Sequence, residues 1–447
     1  MRLFMHLELT DYPLLFQGSR ATIHPYFGLV KWGPFMQPSE FEYEEVAIIG
    51  KDGRFLQHFK THLSEGLGGK FPGGFNNIFK TDLDLEFYQI DDEEDEEIIF
   101  DEFKSNGLFR RFPVVIIPKT PRSDYNSLYY RVKSKFLENG IPSQIFTRET
   151  TLDENTYSWS IFPLAIQIFA KMGGVPYVLA KRVIGEASDT TSRILVLGVG
   201  MSSSPLERDR IAGFVTIYDE NGQWLLSKVD TEKNPSKEVF ASKLKEMILD
   251  AINISIKKLN VDLSRFSVLI HYSGKEMSGH EEETLWKAIQ DAKDSLGVDV
   301  GVYVVKINNS NYIAASSISK CHHNGLPTGL INTGTVFQLK DFYLLFTTGC
   351  IPEFPNRRGE PSKNITKPSA PSPIIVSIKE IVENKRDMSP QNLISSVYAM
   401  CRMNYTSINN QLNRLPVTVK YSREIAWMTL RLGKMSNERI EKVLWFI

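Results

Sequence analysis

Cysteine is scarce in this chain of 447 residues, which has only Cys321, Cys350 and Cys401 and no CxxC pair. Such a sparse, odd set argues against a disulfide framework and favours a reducing compartment, so we expect a cytoplasmic protein. Long apolar runs are lacking too. The longest run, residues 161–170, has about ten residues and contains Gln167, which makes it too short to cross a bilayer. The first residues also lack the apolar core of a signal peptide, so we expect no membrane insertion.

A surplus of charge of either sign is also absent. The chain has 52 Lys and Arg residues against 53 Asp and Glu residues, a formal net charge of −1. This balance excludes a polycation that binds nucleic acid through its total charge alone. Hydrophobic residues make up 42% of the chain and charged residues 23%, as in globular proteins. At this length we expect roughly two or three folded units.

The charges are unevenly distributed along the chain. Residues 91–97 read DDEEDEE, a run of acids that is most simply interpreted as a solvated loop. Residues 110–135 instead contain seven Lys and Arg residues against one acid, Asp124. This basic segment is therefore a candidate anion-binding site.

The first half of the chain alternates short apolar strands with helices. Residues 1–40 are predicted to form an N-terminal arm of short β-like pieces, and residues 68–80 a glycine-rich loop. Continuous apolar strands that alternate with helices indicate a parallel sheet covered on both faces. The predicted strands are 46–50, 85–90, 113–118 and 143–147, and the predicted helices are 54–67, 97–104, 123–140 and 162–172.

After residue 190 the pattern changes. Strand 194–200 is followed by a hairpin of strands 212–219 and 223–230 around Asn221-Gly222, and then by a helix, a strand, a helix and a strand. This order is the ribonuclease-H-like topology. The two helices are predicted to begin at Asn234-Pro235 and near Ser278, and the strands to span 266–271 and 300–306. Further strands are predicted at 334–347 and 373–378, a surface loop at 352–372, and helices from Ser389-Pro390 and near Ser422.

One helix carries polar residues suited to anion binding. Tyr129 and Lys133 are four residues apart and share a helix face, whereas Leu128, Val132 and Phe136 form a different, apolar face. We therefore expect the polar pair to point away from the packing side. A helix N-terminus with a phenol and an ammonium group is well suited to a phosphate monoester.

Other polar residues follow in the same half of the chain. Gln144 begins a predicted strand, Lys171 ends a predicted helix, and Gln167 precedes Lys171 by one turn on the same face. Taken singly, a tyrosine usually packs and a lysine is usually solvated. Only the combination points to a binding site.

These motifs resemble a known family. The segments YYRVK (129–133), IPSQ (141–144) and AKMGG (170–174) resemble the 5′-phosphate pocket of the MID domain of Argonaute proteins, and MNY (403–405) and LPVTVKY (415–421) resemble the end of a PIWI domain. The pattern is most similar to the short archaeal and bacterial MID–PIWI Argonautes. The resemblance implies an α/β protein with an N-terminal arm (1–39), a Rossmann-like MID domain (40–190) and a ribonuclease-H-like PIWI domain (191–447).

The resemblance also implies roles for particular residues. The 5′ phosphate of a guide strand would be held by Tyr129, Lys133, Gln144 and Lys171. A divalent cation, Mg²⁺ by preference, would bridge that phosphate, Gln167 and the terminal carboxylate of Ile447.

The same resemblance implies that cutting is absent. Family members that cut use carboxylates to hold two metal ions, but the corresponding positions are occupied by Gly200, Ser273 and Arg423. Asp209, Asp219 and Glu220 remain alternative ligands. We therefore expect a catalytically inactive protein.

The expected partners are a guide strand of RNA or DNA and a complementary target strand, with DNA favoured as the target. An associated effector protein would produce the output in prokaryotic immunity, and a homodimer remains an option. The alternatives are an active guided nuclease with unusual metal ligands and a scaffold that has kept only the fold.

Two weaker motifs carry no function. His322-His323 beside Cys321 has no second ligand cluster with matching spacing, so we expect no metal site there. Gly198-Val199-Gly200 lacks the later glycine of a dinucleotide fingerprint, and a hairpin rather than a helix follows it.

Overall fold

The computed structural model describes most of the chain. The described residues are 6–9, 12–39, 43–121, 124, 126–184, 193–203, 210–233, 236–259, 266–273, 279–296, 301–311, 313–315, 322–323, 326–327, 329–350, 371–381, 388–408, 414–432 and 438–447.

Strands and helices are numbered here in chain order. The strands are β1 His6–Glu8, β2 Leu14–Phe16, β3 Arg20–Thr22, β4 Glu45–Gly50, β5 Gly66–Leu67, β6 Phe71–Pro72, β7 Asp84–Gln89, β8 Arg111–Ile117, β9 Gln144–Thr147, β10 Val178–Leu179, β11 Arg193–Ser203, β12 Arg210–Tyr218, β13 Trp224–Lys233, β14 Phe266–Ser273, β15 Gly301–Asn308, β16 His322–His323, β17 Leu326–Pro327, β18 Thr335–Gln338, β19 Tyr343–Phe346 and β20 Ile374–Ile381. The α-helices are α1 Pro25–Trp32, α2 Gly53–Glu65, α3 Gly74–Phe79, α4 Glu96–Ser105, α5 Leu128–Glu138, α6 Arg148–Leu152, α7 Glu154–Lys171, α8 Lys237–Leu259, α9 Gly279–Leu296, α10 Pro390–Met400, α11 Val417–Leu432 and α12 Glu438–Glu441. Short 3₁₀ turns are formed by Gln17–Ser19, Gly68–Lys70 and Leu108–Arg110.

The chain divides into two compact units. The smaller unit consists of Leu15–Arg20, Tyr26–Tyr177 and Trp427–Ile447. The larger unit consists of Met1–Leu14, Ala21–Pro25 and Val178–Ala426. The last residues of the chain therefore belong to the smaller unit, and the predicted domain limits stay predictions.

The smaller unit is built on a four-stranded parallel sheet with the order β7-β4-β8-β9. Successive side chains of a strand point to opposite faces, and strand β4 is buried along its whole length. On one face Ile49 packs with Phe103 of α4 and Phe136 of α5. On the other face the Phe146 ring lies 5.4 Å from Phe59 of α2 and 6.4 Å from Tyr157 of α7. The prediction of a parallel sheet with helices on both faces is confirmed.

Several predicted boundaries in this unit are wrong. Within the arm predicted to consist of β-like pieces, Pro25–Trp32 form helix α1. The expected glycine-rich loop at 68–80 contains helix α3. Helix α5 begins at Leu128, later than the predicted start at residue 123, which lies outside the described residues. Helix α7 begins at Glu154 rather than 162 because Asp153 accepts the backbone N–H groups of Asn155 and Thr156.

The acid run at 91–97 is a solvated loop only in part: Asp91, Glu94 and Asp95 are exposed and precede helix α4. The Asp95 carboxylate caps helix α4 by accepting the N–H groups of Glu97 and Ile98. The side chain of Glu93 is buried and forms an ion pair with Arg148. Glu96 pairs with Arg131 at 2.7 Å and Glu97 with Lys135 at 2.6 Å. The run is therefore a capping and ion-pairing segment, which a count of charges along the sequence does not reveal.

The larger unit contains a nine-stranded sheet with the order β1-β18-β19-β20-β15-β14-β11-β12-β13. Strand β12 pairs antiparallel with both β11 and β13. Strand β14 pairs parallel with both β11 and β15. Helix α8 follows β13, and helix α9 lies between β14 and β15. The predicted ribonuclease-H-like order is therefore confirmed.

Helices cover both faces of this sheet. Leu244 and Ile248 of α8 pack with Leu285 and Ile289 of α9 over one face. On the other face the buried imidazole of His271 contacts the hydroxyl groups of Thr418 in α11 and Ser396 in α10, both at 3.0 Å. Burial lowers the pKa of His271 to about 3, so this ring is neutral and serves as a polar link between the sheet and the helices.

Some predictions for the larger unit are confirmed and others fail. The hairpin turns at Asn221-Gly222, and Ser389 caps α10 through the N–H of Asn392. Helix α11 starts at Val417, well before the predicted Ser422. Two strands, β18 and β19, replace the single predicted strand at 334–347. The predicted caps Asn234-Pro235 and Ser278 and most of the predicted 352–372 loop lie outside the described residues.

The cysteines are only partly as expected. Cys401 is a buried free thiol, and burial raises its pKa. Cys350 is disulfide-bonded, whereas the cysteine count had argued against a disulfide framework. Sequence spacing does not show which cysteines the fold brings together. Among the described helices, none combines the length and apolar character needed to cross a membrane.

Candidate nucleic-acid site

Two buried lysines converge in the smaller unit. Lys133 lies on α5 and Lys171 ends α7, and each side chain is 1% exposed. Both ammonium groups donate to the backbone carbonyl oxygen of Ser143, at 2.8 Å and 3.1 Å. The structure therefore brings together two residues that are 38 positions apart in the chain (171 − 133).

Gln144 completes this cluster. Its side-chain Oε1 accepts a hydrogen bond from Lys171 at 2.6 Å, and its Nε2 donates to the Ile145 carbonyl at 3.2 Å. The neighbouring Ser143 side chain is buried, and its hydroxyl has no hydrogen-bond partner within the described part of the chain. A buried polar group without a partner is unfavourable. We refer to Lys133, Ser143, Gln144 and Lys171 as the lysine cluster.

The electrostatics of the lysine cluster favour an anion. Burial lowers the pKa of Lys133 to about 8. Burial also lowers the pKa of Lys171 well below its ordinary value, and the positive charge of Lys133 lowers it further. The hydrogen-bond acceptors seen here, a carbonyl and an amide, are neutral. A dianionic phosphate would compensate both charges at once.

The expected orientation of the helix face is wrong for Lys133. This side chain points into the interior rather than away from the packing side. Tyr129, one turn earlier, is half-buried and packs against the apolar cluster that contains Val132 and Phe136. Tyr129 and Lys133 do lie one turn apart on α5. However, α5 is enclosed on more than one side, so its polar and apolar faces are both covered.

The basic segment 110–135 is largely neutralised. Beyond the ion pairs to Glu96 and Glu97, Arg110 pairs with Glu44 at 3.0 Å and Arg111 with Glu45 at 3.4 Å. Within this segment and its neighbours, the lysine cluster is therefore the remaining candidate for an anion site. The excess positive charge of the segment is not an open patch, because acids distant in sequence cover it.

The two predicted cation ligands lie in the same unit as the lysine cluster. Gln167 is half-buried on α7, one turn before Lys171. Ile447 is buried at the chain end. An amide oxygen and a terminal carboxylate are hard ligands of the kind that Mg²⁺ prefers, so the donor types fit a divalent cation.

The C-terminal segment is attached to the helix that carries Lys133. The Trp427 ring lies 5.5 Å from the Tyr130 ring in an edge-on arrangement. The Arg431 guanidinium lies 5.6 Å from the centre of the Tyr130 ring and also covers the Trp427 ring. These aromatic and cation–π contacts hold residues 427–431 against α5.

A second set of predicted residues meets in the larger unit. The register that pairs Val199 with Tyr272 brings Gly200 level with Ser273. Arg423 of α11 donates to the Ser273 hydroxyl from Nε at 3.2 Å and from Nη2 at 2.5 Å. Its Nη1 lies 3.5 Å from Oδ1 of Asn309, which follows β15. A guanidinium and two neutral groups occupy this place, and none of these groups is a carboxylate.

The alternative carboxylate ligands have other partners where they are described. Asp219 accepts the N–H groups of Asn221 and Gln223 in the hairpin turn, and burial raises its pKa to about 6. Glu220 is buried and forms ion pairs with Arg182 and Arg193. Asp209 lies outside the described residues.

The weaker motifs are resolved in part. Gly198-Val199-Gly200 lies within β11 and leads into the antiparallel β12, so the rejection of a dinucleotide site is consistent with the fold. His322 and His323 form the short strand β16, and Cys321 lies outside the described residues. Within the described residues, no three His, Cys, Asp or Glu side chains cluster in a way that could hold a metal ion.

Comparison with known proteins identifies the family. The model of the Piwi domain matches residues 113–352, which is more than half of the chain. The chain belongs to the Piwi domain family. A search of curated protein sequences found no match.

Solved structures with the same fold agree with this Piwi-family membership. Drosophila Piwi aligns with 99% of the chain at a TM-score of 0.67 and 14% identity. Clostridium butyricum Argonaute, solved with a guide DNA (5′ deoxycytidine) and a 19-mer target DNA, aligns with 99% of the chain at a TM-score of 0.67 and 15% identity. The chain spans little more than half the length of these proteins, 56% and 55%. The resemblance to Argonautes and the predicted fold class are confirmed.

Sequence reasoning missed two residues of this Piwi-family chain. Ser143 supplies the carbonyl that both lysines share, and Asn309 contacts Arg423. Ser143 belongs to the IPSQ segment, so its position was a usable signal. No sequence signal pointed to Asn309, because its contact with Arg423 depends only on where strand β15 ends.

The lysine cluster predicts a pH-dependent stability. The pKa of Lys133 is lowered to about 8 in the folded protein and is about 10.4 in an unfolded chain. The unfolded state therefore binds more protons across this interval, and folding stability rises with pH there. The free-energy cost of burying a charged Lys133 is absent above its pKa in the unfolded chain. This cost is fully present below its pKa in the folded protein. From pH 8 to pH 10, the urea-unfolding free energy of the wild type should rise by roughly 2 kcal/mol relative to Lys133→Met.

Lys135→Met provides the matched control on the same helix. Its side chain pairs with Glu97, which raises its pKa. This variant should show no comparable gain. An identical pH dependence in the wild type and in Lys133→Met would show that Lys133 is not buried as a charged group.

A second prediction concerns the tight packing around Gly200. A Cβ atom at this position would overlap the ring of the buried Phe214. We expect Gly200→Ala to lower the free energy of unfolding by about 1–3 kcal/mol, because overpacked cores must shift. Denaturant titration measures this loss. Gly279→Ala, at a glycine with open space around it, is the control, and equal losses in both variants would contradict the packing argument.

Proposed function

We propose that this chain binds the 5′-phosphorylated end of a guide strand and uses it to recognise a complementary strand by base pairing. The observation that carries the proposal is the pair of buried ammonium groups on one carbonyl oxygen. A buried pair of like charges is stable only when something compensates it. A terminal phosphate carries up to two negative charges, whereas an internal phosphodiester carries one.

The surrounding residues support a terminal phosphate in particular. Lys133 and Lys171 would donate to its oxygens, and the Gln144 amide and the Tyr129 hydroxyl would supply further donors. Such charge-assisted hydrogen bonds are about twice as strong as neutral ones. The cluster is buried, so an internal phosphodiester with chain on both sides would reach it less easily than a strand end.

A divalent cation is part of this proposal. Mg²⁺ would be held by the Gln167 amide and the Ile447 carboxylate, both hard oxygen donors in the same unit as the lysines. When bound, it would supply further positive charge for the phosphate. The chain's own contribution is to hold the C-terminal segment in place through Tyr130, Trp427 and Arg431.

We further propose that the protein does not cut its target. Two-metal hydrolysis requires carboxylates that hold metals about 3.5–4 Å apart. Gly200 and Ser273 cannot supply them, and the Arg423 guanidinium beside Ser273 would repel a metal ion. Specificity would then come from base pairing, with the protein holding the backbone.

An output without cutting requires another component. We propose an associated effector protein that responds when the guide pairs with an invading strand, as part of a prokaryotic immune response. Target DNA is favoured, and both RNA and DNA guides remain to be compared. A homodimer is a further form to be examined by light scattering.

Guide binding is tested with matched 5′-phosphate and 5′-hydroxyl oligonucleotides, of both RNA and DNA, in the presence of Mg²⁺. The wild type should bind the phosphorylated form at least about tenfold more tightly, since each charge-assisted hydrogen bond contributes roughly 1.5–3 kcal/mol. Lys133→Ala and Lys171→Ala should remove this preference. They should not destabilise the protein by the usual amount for a core truncation, because they also remove a buried charge.

Two controls sharpen this test. Lys135→Ala removes a partly exposed lysine from the same helix and should leave the preference unchanged. Residues appended after Ile447 convert its carboxylate into an amide. This change should weaken the binding of phosphorylated guides and reduce the effect of Mg²⁺ on that binding. Equal binding of phosphorylated and hydroxyl guides by the wild type would contradict the proposal. It would support the alternative of a scaffold that has kept only the fold.

Cleavage is tested separately, with guide, labelled complementary target and either Mg²⁺ or Mn²⁺. We expect the target to remain intact over hours. Specific cleavage opposite the guide, abolished by Asp209→Ala or Asp219→Ala, would overturn the proposal of inactivity and assign these residues as metal ligands.

A further inference from the structure

Two histidines share one face of helix α2 in the smaller unit. His58 and His62 are four residues apart on this helix, so their side chains lie one turn from each other. Their rings are in contact, with centroids 4.1 Å apart in an edge-on arrangement. His58 is exposed and His62 is half-buried. The pair therefore faces solvent, and it belongs to neither of the sites described above.

Helix α2 holds the two rings in a fixed relation. Asp52 caps the first turn of the helix with its carboxylate. Another face of the helix is anchored in the core by the buried side chains of Leu56, Phe59 and Leu63. Ligands that are carried by a rigid element keep their spacing, which lowers the entropy lost when an ion binds.

The ring nitrogens that a metal ion would need are not occupied by other groups. Within the described part of the chain, neither ring nitrogen of His58 has a hydrogen-bond partner, and His62 uses only Nδ1, which lies 3.0 Å from the hydroxyl of Tyr157. In the tautomer whose Nδ1–H donates to the phenol oxygen, Nε2 carries the lone pair that binds a metal. Histidine ligands are usually oriented by such a bond from the other ring nitrogen. Tyr157 is itself buried on α7, so its hydroxyl is a fixed partner.

The chemistry of this pair suits a transition metal and not Mg²⁺. Imidazole nitrogen is a good ligand for Zn²⁺, Ni²⁺ and Cu²⁺, whereas Mg²⁺ and Ca²⁺ prefer oxygen. Histidines four residues apart on one helix face are an established zinc-binding spacing. Zn–N bonds are about 2.0–2.1 Å long, so two rings in contact can reach one ion. Among the described residues no third His, Cys, Asp or Glu joins the pair, so water would fill the remaining positions.

We propose that His58 and His62 together bind one Zn²⁺ ion on the surface of the smaller unit. One nitrogen of each ring is a ligand, and Tyr157 is a positioning residue that orients the His62 ring. The ion links two successive turns of α2. This site differs from the Mg²⁺ site proposed above in its ligands and its metal, and it does not depend on guide binding.

Zinc titration tests this site. Full-length protein without a guide is titrated with Zn²⁺ by calorimetry, near neutral pH and in an excess of Mg²⁺. The wild type should bind one Zn²⁺ per chain through the pair. His58→Gln and His62→Gln should each weaken this binding by at least about tenfold, because one of two protein ligands is lost, and Tyr157→Phe should weaken it by about tenfold, as expected when the partner of a ligand is removed.

The matched control is the double variant His322→Gln, His323→Gln. It removes the other pair of neighbouring histidines in the chain and should leave the zinc affinity unchanged. Electron paramagnetic resonance of bound Cu²⁺ gives an independent readout. The spectrum should show coupling to two imidazole nitrogens in the wild type and to one in His58→Gln.

Several outcomes would overturn the assignment. Unchanged zinc affinity in both His58→Gln and His62→Gln would do so, as would a loss of affinity in the control variant or displacement of Zn²⁺ by Mg²⁺. One ion per two chains, with a dimer seen by light scattering, would contradict a site within one chain. His58 is exposed, so His58→Gln should fold as the wild type does, and its circular dichroism spectrum checks this. Guide 5′-phosphate preference is measured separately, and its failure would remove the proposed function without affecting the zinc site.

Discussion

Two ammonium groups that share the Ser143 carbonyl are the arrangement on which the rest depends. The fold holds Lys133 and Lys171 in a buried place where their charges repel and water is excluded. Such an arrangement is costly unless an anion completes it. The lysine cluster is therefore a part of the smaller unit that carries a cost in stability. The helices α5 and α7 and the strand β9 are positioned so that this meeting occurs.

The distribution of charge shows how a nearly neutral protein concentrates positive charge in one buried place. The acids of residues 91–97 pair with Arg131, Lys135 and Arg148, so the basic segment does not attract polyanions in general. Lys133 and Lys171 are left with neutral acceptors inside the unit. Positive charge is thus concentrated in a buried cluster, where the low dielectric strengthens each interaction with a bound anion.

Two sets of polar side chains stand out, one on each unit. In the smaller unit, two buried lysines share one carbonyl acceptor. In the larger unit, Arg423 stands where carboxylates and metal ions would be required for cutting, and its neighbours Ser273 and Asn309 orient it. The ribonuclease-H-like order of strands is retained, and a guanidinium, a hydroxyl and an amide meet at its strand ends.

The alternation of strands and helices, the hairpin at Asn221-Gly222 and the short motifs around Lys133, Gln144 and Lys171 were predictable from the amino-acid sequence. Those features depend on local periodicity, turn chemistry and residue type, which can be read along the chain. The burial of Lys133, the pairing of the acid run with the basic segment and the contact of Arg423 with Ser273 were not predictable in this way. These outcomes depend on contacts between residues far apart in the sequence, and burial and pairing are properties of the packed chain. The start of α7 is different, because Asp153 caps the helix through the nearby N–H groups of Asn155 and Thr156, a local signal that the pattern around residue 162 did not include.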